Sequence, residues 1–176
     1  MDFQQEADII RSLSNIAANG HLHKGLKPVH WCMDCASALA EAEVEYEDKQ
    51  SHAVDVAFAV KDLADFAQRA GLATVPHAVD FVIWTTTPWT LPANQAVSLH
   101  PELVYVVVQA DIAGQTRILV LAQALYEATL VRYQAENIQV LAEVVGQSFE
   151  HVALKHPFYE RIVPVIVGEH VTADAG

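Results

Sequence analysis

The sequence predicts an α+β domain built around a strand-rich, barrel-like core. Three observations point there. Apolar runs of strand length recur at residues 54–60, 81–84, 104–109, 117–121, 138–145, 149–154 and 162–167. Helical spacing is confined to a few segments. The composition, 52% hydrophobic and 18% charged over 176 residues, is that of one globular domain able to bury a core.

Taken in order, residues 2–18 read as a helix. Asp2 and Gln5 form a candidate capping box, and Asn19-Gly20 a stop. Phe3, Ala7, Ile10 and Ala17 fall on one face of it. Residues 21–35 are irregular and rich in His, Lys and Gly. Residues 36–41 read as a short helix that runs into a strand at 43–46. Residues 62–70 read as a helix closed by Gly71. The runs 104–109 and 117–121 form a hairpin with Gly114 at the turn. Residues 122–134 carry Ala124, Leu125, Ala128 and Val131 at helical spacing. Two parts are expected: a helix with a Cys/His-rich connecting segment at 1–35, and the main domain at 36–176. The first is expected to pack loosely or against a neighbouring molecule.

Charge narrows the partners. Ten Lys and Arg face 22 Asp and Glu, for a net charge of −12. Phosphate binding runs on cations, so a nucleic-acid partner would need most of its contacts from elsewhere in a larger protein. No run of about 18 apolar residues is present, so no membrane span is expected. The start, Met1-Asp2-Phe3-Gln4-Gln5-Glu6, lacks the basic then apolar pattern of a signal peptide. Two cysteines do not make a disulfide framework. A cytoplasmic location follows by default. No Gly-rich phosphate loop, H-E-x-x-H or G-x-S-x-G occurs.

The most informative block is Trp84-Thr85-Thr86-Thr87-Pro88-Trp89-Thr90-Leu91-Pro92-Ala93-Asn94. An apolar strand ends in three consecutive hydroxyls, and Pro88 then stops the ladder and bends the chain. Alternation puts Thr85 and Thr87 on one face and Thr86 on the other. The bend can bring hydroxyls and freed N–H groups to the mouth of a cavity, where they can bind an ester carbonyl, an α-amino group or a water. A Thr-rich edge strand with a Pro turn is the other reading of the same residues.

This block resembles the threonine-rich signature of the editing domain of isoleucyl-tRNA synthetases, of the bacterial form. Pro88-Trp89-Thr90-Leu91-Pro92 stands where related valine and leucine editing domains carry Arg-Pro. Gly20-His21-Leu22-His23-Lys24-Gly25, Lys27-Pro28-Val29-His30-Trp31-Cys32, the stretch from Ala38 to Tyr46 and the closing Gly168-Glu169-His170-Val171-Thr172-Ala173-Asp174-Ala175-Gly176 fall in the same family order. The resemblance implies a barrel-like editing domain of a class I aminoacyl-tRNA synthetase. It implies hydrolysis of valine wrongly esterified to isoleucine tRNA, and of valyl-adenylate. Thr85, Thr86 and Thr87 would be the catalytic and substrate-binding residues, with Trp84 and Asn94 shaping the pocket. Core packing remains open for Trp84, and a turn or cap role for Asn94. The partners implied are the tRNA 3′ end carrying valine and the remainder of the synthetase. The synthetase's ATP-binding signatures are absent from this sequence, so the resemblance excludes aminoacylation by these residues alone.

The family pattern continues past Asp-Ala-Gly into a His and an Asp that help bind the amino group and support hydrolysis. Neither His170 nor Asp174 matches those positions. Half a site is therefore expected in this sequence, with weak activity or none, and the ending looks like a cut. A non-catalytic module that binds the tRNA end or another domain is the alternative.

Cys32-Met33-Asp34-Cys35 is a C-x-x-C with His21, His23 and His30 upstream. Thiolates at that spacing grip one side of a tetrahedral zinc. No second C-x-x-C is present, and in the resembling family the partner pair lies well beyond this region. Cys32 and Cys35 thus read as a zinc half-site, with no cofactor held by this segment alone. Two free thiols, a local Cys/Cys/His/His site in a zinc-dependent interaction domain, and a redox pair are the other readings. His52, His77, His100, His151 and His156 read as surface or loop residues.

Overall fold

Asp2 caps the first helix, α1 (Phe3–Ala18), with its carboxylate accepting from the Gln4 N–H at 3.1 Å rather than through a capping box with Gln5. Gly20, at φ +76°, provides the left-handed residue that ends the helix. The computed structural model describes residues 2–48 and 50–173. The closing Asp174-Ala175-Gly176 lies outside the described residues.

The chain folds as two compact units, Met1–Lys49 and Gln50–Gly176. In the first unit, α1 buries none of its side chains. Strands β1 (His30–Cys32) and β2 (Ser37–Leu39) form an antiparallel hairpin with His30 opposite Leu39 and Cys32 opposite Ser37. The helix expected at 36–41 is absent, because pairing across the C-x-x-C turn claims those residues for β2. Residues 41–43 form a 3-10 turn, and residues 43–46 are not a strand. The β1–β2 hairpin spans positions 35 and 36, within the first unit.

The second unit begins with β3 (Val54–Ala59), α2 (Leu63–Arg69) and β4 (Val79–Thr85). Asp62 caps α2 by accepting from Ala64 and Asp65 N–H, and Gly71 at φ +69° follows its end. Strands β5 (Val97–Leu99), β6 (Val104–Ile112) and β7 (Gln115–Ala122) come next. The β6–β7 hairpin turns on Ala113 at φ +50° and Gly114 at φ +77°, the positive φ pair that a tight hairpin requires. Then follow α3 (Tyr126–Arg132), β8 (Glu136–Val145), β9 (Ala153–Lys155) and β10 (Ile162–Val167). Helix α3 is shorter than the spacing at 122–134 suggested, and Val131 is exposed. Phe149 belongs to a 3-10 turn (Gly146–Phe149) rather than to a strand.

Five strands form one sheet in the order β3-β4-β7-β6-β8, and three form another in the order β5-β10-β9. A bridge from Val60, next to β3, to Leu154 of β9 links the two sheets, with the Lys61 N–H donating to the Ala153 carbonyl at 2.8 Å. The α+β class holds. Among the described residues the strands do not close into a barrel, because no ladder joins β8 to β5.

Strands β6 and β7 are buried on both faces, which explains their near-continuous apolar runs. Tyr105, Val107, Ile118 and Val120 enter one core with Phe58, Phe66, Phe81 and Phe149. Val106, Val108, Leu119 and Leu121 enter a second with Leu130 of α3. In the first core the Phe66 and Phe149 rings stack at 5.4 Å, and Phe81 meets Phe149 edge-on at 5.3 Å. Arg69 ties α2 to the chain after the 3-10 turn by donating to the Glu150 carbonyl at 2.9 Å. Buried Asp80 is paired with Arg117.

Candidate functional site

Strand β4 pairs with β3 from Thr85 opposite Val54 to Asp80 opposite Ala59. On its other side it pairs with β7 only from Val79 to Phe81. Beyond Phe81 the two strands diverge, and a cavity of about 290 Å³ opens in the gap. Its wall includes Phe81, Val82, Ile83 and Trp84 from β4, with Val171 and Thr172 from the last described residues. The lining is mainly apolar. Its polar rim includes an ion pair, Asp55 and Arg132, at 2.7 Å.

Thr85 ends β4, just past the cavity lining, and Thr87 stands two residues on, beyond the strand. The two hydroxyls sit 3.1 Å apart. Thr85 Oγ1 also accepts from the Thr87 N–H at 3.0 Å. Two hydroxyls bonded to one another have one proton left to give, so the pair presents a single O–H donor to a ligand. Thr87 is exposed, whereas Thr85 and Thr86 are half-buried. The Thr86 carbonyl accepts from Ser51 Oγ at 3.1 Å. Among the described residues no titratable side chain hydrogen-bonds to these hydroxyls. The arrangement can orient a water or a carbonyl, and it contains no base to deprotonate that water.

Pro88 starts a 3-10 turn (Pro88–Ala93) capped at its start by Thr87, whose carbonyl accepts from Thr90 N at 3.0 Å and Thr90 Oγ1 at 2.8 Å. Trp84 lines the cavity and remains 40% exposed, so it is not a core residue. Asn94 caps the end of the turn and donates from Nδ2 to the Ala96 carbonyl at 2.8 Å.

His156 is buried, contrary to its surface reading, because its ring is walled by Phe58, Phe158 and Tyr159. Its Nε2 lies 2.9 Å from the Leu91 carbonyl. Arg161 donates to the carbonyls of Pro92, at 3.1 Å, and of Asn94. Sequence reasoning missed both residues. The Pro-rich turn was visible, but nothing local in sequence joins it to a loop more than sixty positions away.

Tyr133 packs against the second core. Burial, then the Asp55 carboxylate, push its phenol from 10.0 up to about 12. The folded state therefore keeps a proton that the unfolded chain has already lost. The resulting stabilisation is complete below about pH 10 and disappears as pH rises towards 12. Denaturant midpoints across that range should fall less steeply for Tyr133→Phe than for the unsubstituted chain; parallel curves would refute the assignment.

In the first unit, Cys32 Sγ accepts from the Cys35 N–H at 3.3 Å. Hydrogen bonds from the Cys35 N–H, the Cys35 thiol and the Asp34 N–H lower the Cys32 pKa, favouring the thiolate that a metal needs. Among the described residues no three His, Cys, Asp or Glu side chains gather at one point. Two thiols alone would supply at most half of a tetrahedral zinc set. Such a pair should bind weakly, so elemental analysis of the purified chain is expected to find well under one zinc per molecule. One zinc per chain would reinstate a local Cys/His site.

The family description "tRNA synthetases class I (I, L, M and V)" matches residues 1–162. The chain belongs to the class I tRNA synthetases. Along its whole length this synthetase chain is 58% identical to the isoleucine–tRNA ligase of Alcanivorax borkumensis and 59% identical to that of Thiobacillus denitrificans. It spans 19% of the length of each. The resemblance to isoleucyl-tRNA synthetases is thus borne out. Among solved structures, the editing domain of Plasmodium falciparum cytosolic leucyl-tRNA synthetase superposes with a TM-score of 0.58 at 10% identity, covering 69% of this chain and 58% of that one. The corresponding domain of P. knowlesi superposes with a TM-score of 0.58 at 9% identity, covering 75% and 59%. At such identities the likeness shows the fold alone. Among the described residues, no helix of the synthetase chain is long and apolar enough to cross a membrane.

Proposed function

We propose that this chain is the proofreading segment of an isoleucine–tRNA ligase, and that it hydrolyses valine wrongly esterified to isoleucine tRNA. The observation that carries the reading is the bonded hydroxyl pair of Thr85 and Thr87, at a strand-to-turn junction beside a cavity, within an editing-domain fold. The need for such a step is energetic. One methylene is worth only about 1–3 kcal/mol in an apolar pocket, a magnitude for which the isoleucine/valine pair of this enzyme family is itself the standard example. A second pocket too small for isoleucine then removes the valine product.

In the reaction, water oxygen attacks the ester carbonyl carbon and the bond from that carbon to the ribose oxygen breaks. The water proton passes to the ribose oxygen, releasing valine and free tRNA. The threonine pair would orient the carbonyl or the water through its one free O–H. The base and the carboxylate for the substrate ammonium are assigned to residues that follow position 176 in the full-length relatives, as the family resemblance implies. Valyl-adenylate is a second substrate on the same reasoning. With a net charge of −12, this segment leaves most of the tRNA phosphate contact to the rest of the synthetase. A cytoplasmic location goes with this reading.

A full-length isoleucine–tRNA ligase carrying this segment should release valine from valyl-tRNA(Ile) much faster than isoleucine from the cognate product. Equal rates would remove the proofreading assignment. Binding of both without cleavage of either would instead favour a tRNA-end binding module.

A further inference from the structure

We propose that His156 is a positioning residue for proofreading, holding the threonine-bearing turn in place through the Leu91 carbonyl. The proposal rests on the reading that the threonines are the editing site. The ring's hydrogen bonds fix its tautomer. Nδ1 accepts from two backbone N–H groups, Phe158 at 3.1 Å and Tyr159 at 3.3 Å, so it carries no proton. Nε2 therefore holds the proton and donates to the Leu91 oxygen. The ring cannot swing away, because Tyr159 stacks on it at 5.2 Å and Phe58 meets it edge-on at 6.2 Å.

The carbonyl it holds belongs to the 3-10 turn that Thr87 caps. A continuous chain of bonds runs between them. Thr85 Oγ1 accepts from Thr87 N, the Thr87 carbonyl accepts from Thr90, the Leu91 carbonyl accepts from His156, and the carbonyls of Pro92 in the turn and of Asn94 just after it accept from Arg161. Within the 3-10 turn the Asn94 N–H already donates to the Leu91 carbonyl at 2.9 Å, and Pro92 has no N–H to give. Those bonds shape the turn, whereas its hold on the chain between β9 and β10 comes from the His156 and Arg161 donors. Misplacement of reacting groups by about 1 Å can cost as much as 10²-fold in rate.

Two substitutions separate the donor role from mere filling of space. In His156→Gln the amide nitrogen reaches the place of Nε2 and can still donate to Leu91. In His156→Asn the amide oxygen takes the place of Nδ1 and can serve Phe158 and Tyr159, but nothing reaches Leu91. Both would be made in a full-length isoleucine–tRNA ligase carrying this segment, beside Thr85→Ala/Thr87→Ala. Single-turnover deacylation of valyl-tRNA(Ile), aminoacylation and thermal unfolding would be measured on each. The Gln variant should keep its deacylation rate constant within about threefold, while the Asn variant loses roughly tenfold or more in rate constant with little change in half-saturation. Aminoacylation should be unchanged in both. Equal losses in the two variants, or full activity in both, would overturn the proposal. Full activity in the threonine variant would instead show that the editing site itself had been misplaced.

Discussion

Residues 1–176 alone should hydrolyse valyl-tRNA(Ile) at least roughly a hundredfold more slowly than the same chain extended through the His and Asp that the family resemblance places downstream. General acid–base groups contribute about 10²–10⁴-fold to such reactions, and the described residues supply none beside the threonines. A threonine hydroxyl is far too weak a base to take a proton from water near neutral pH. The substrate ammonium also wants a carboxylate. The nearest charged groups on the cavity wall, Asp55 and Arg132, already neutralise one another. The cavity lies along the β4 edge that β7 leaves unpaired, and Val171 and Thr172 stand in its wall. Side-by-side deacylation by the two lengths of chain checks this, with circular dichroism to confirm that both are folded. Equal rates would mean that the whole catalytic set lies within residues 1–176.

Much of this architecture was legible in the sequence, for reasons that differ between elements. The β6–β7 hairpin could be read because Gly114 marks its turn and both strands are apolar on both faces. Helix α2 could be read because Asp62 and Gly71 bracket it. Alternation suggested that Thr85 and Thr87 belong together, but their hydroxyls meet because the chain bends at Thr86, where β4 ends, and the Thr87 N–H bonds back to Thr85 Oγ1. Residues 36–41 misled because Ala and Leu favour a helix locally, and only the pairing with residues 30–32 overrides that preference. Phe149 looked like the start of a strand, yet it plugs the aromatic core from a turn, which a hydrophobic pattern cannot distinguish. Sheet closure is set by which edges meet, and short apolar runs carry no record of that. His156 was opaque for a related reason. Its burial depends on Phe58, which is remote in sequence, and on a carbonyl, which no side-chain pattern reports.

Loss of the hydroxyl pair should be the most damaging small change to editing. Thr85 and Thr87 share one hydrogen bond, so replacing both by Ala removes the single O–H donor that the pair presents. Loss of a single well-placed donor to a developing oxyanion costs about 10²–10³-fold in other hydrolases, which sets the expected scale. Thr86→Ala should also lower editing without unfolding the domain. The most direct measurement is single-turnover hydrolysis of valyl-tRNA(Ile) by a full-length isoleucine–tRNA ligase carrying Thr85→Ala/Thr87→Ala, with Thr→Ser at both positions as the hydroxyl-retaining control. The expected result is a fall of roughly a hundredfold for Ala, substantial recovery for Ser, and unchanged aminoacylation. Hydrolysis at the unsubstituted rate by the Ala variant would contradict the assignment of these threonines to the editing site.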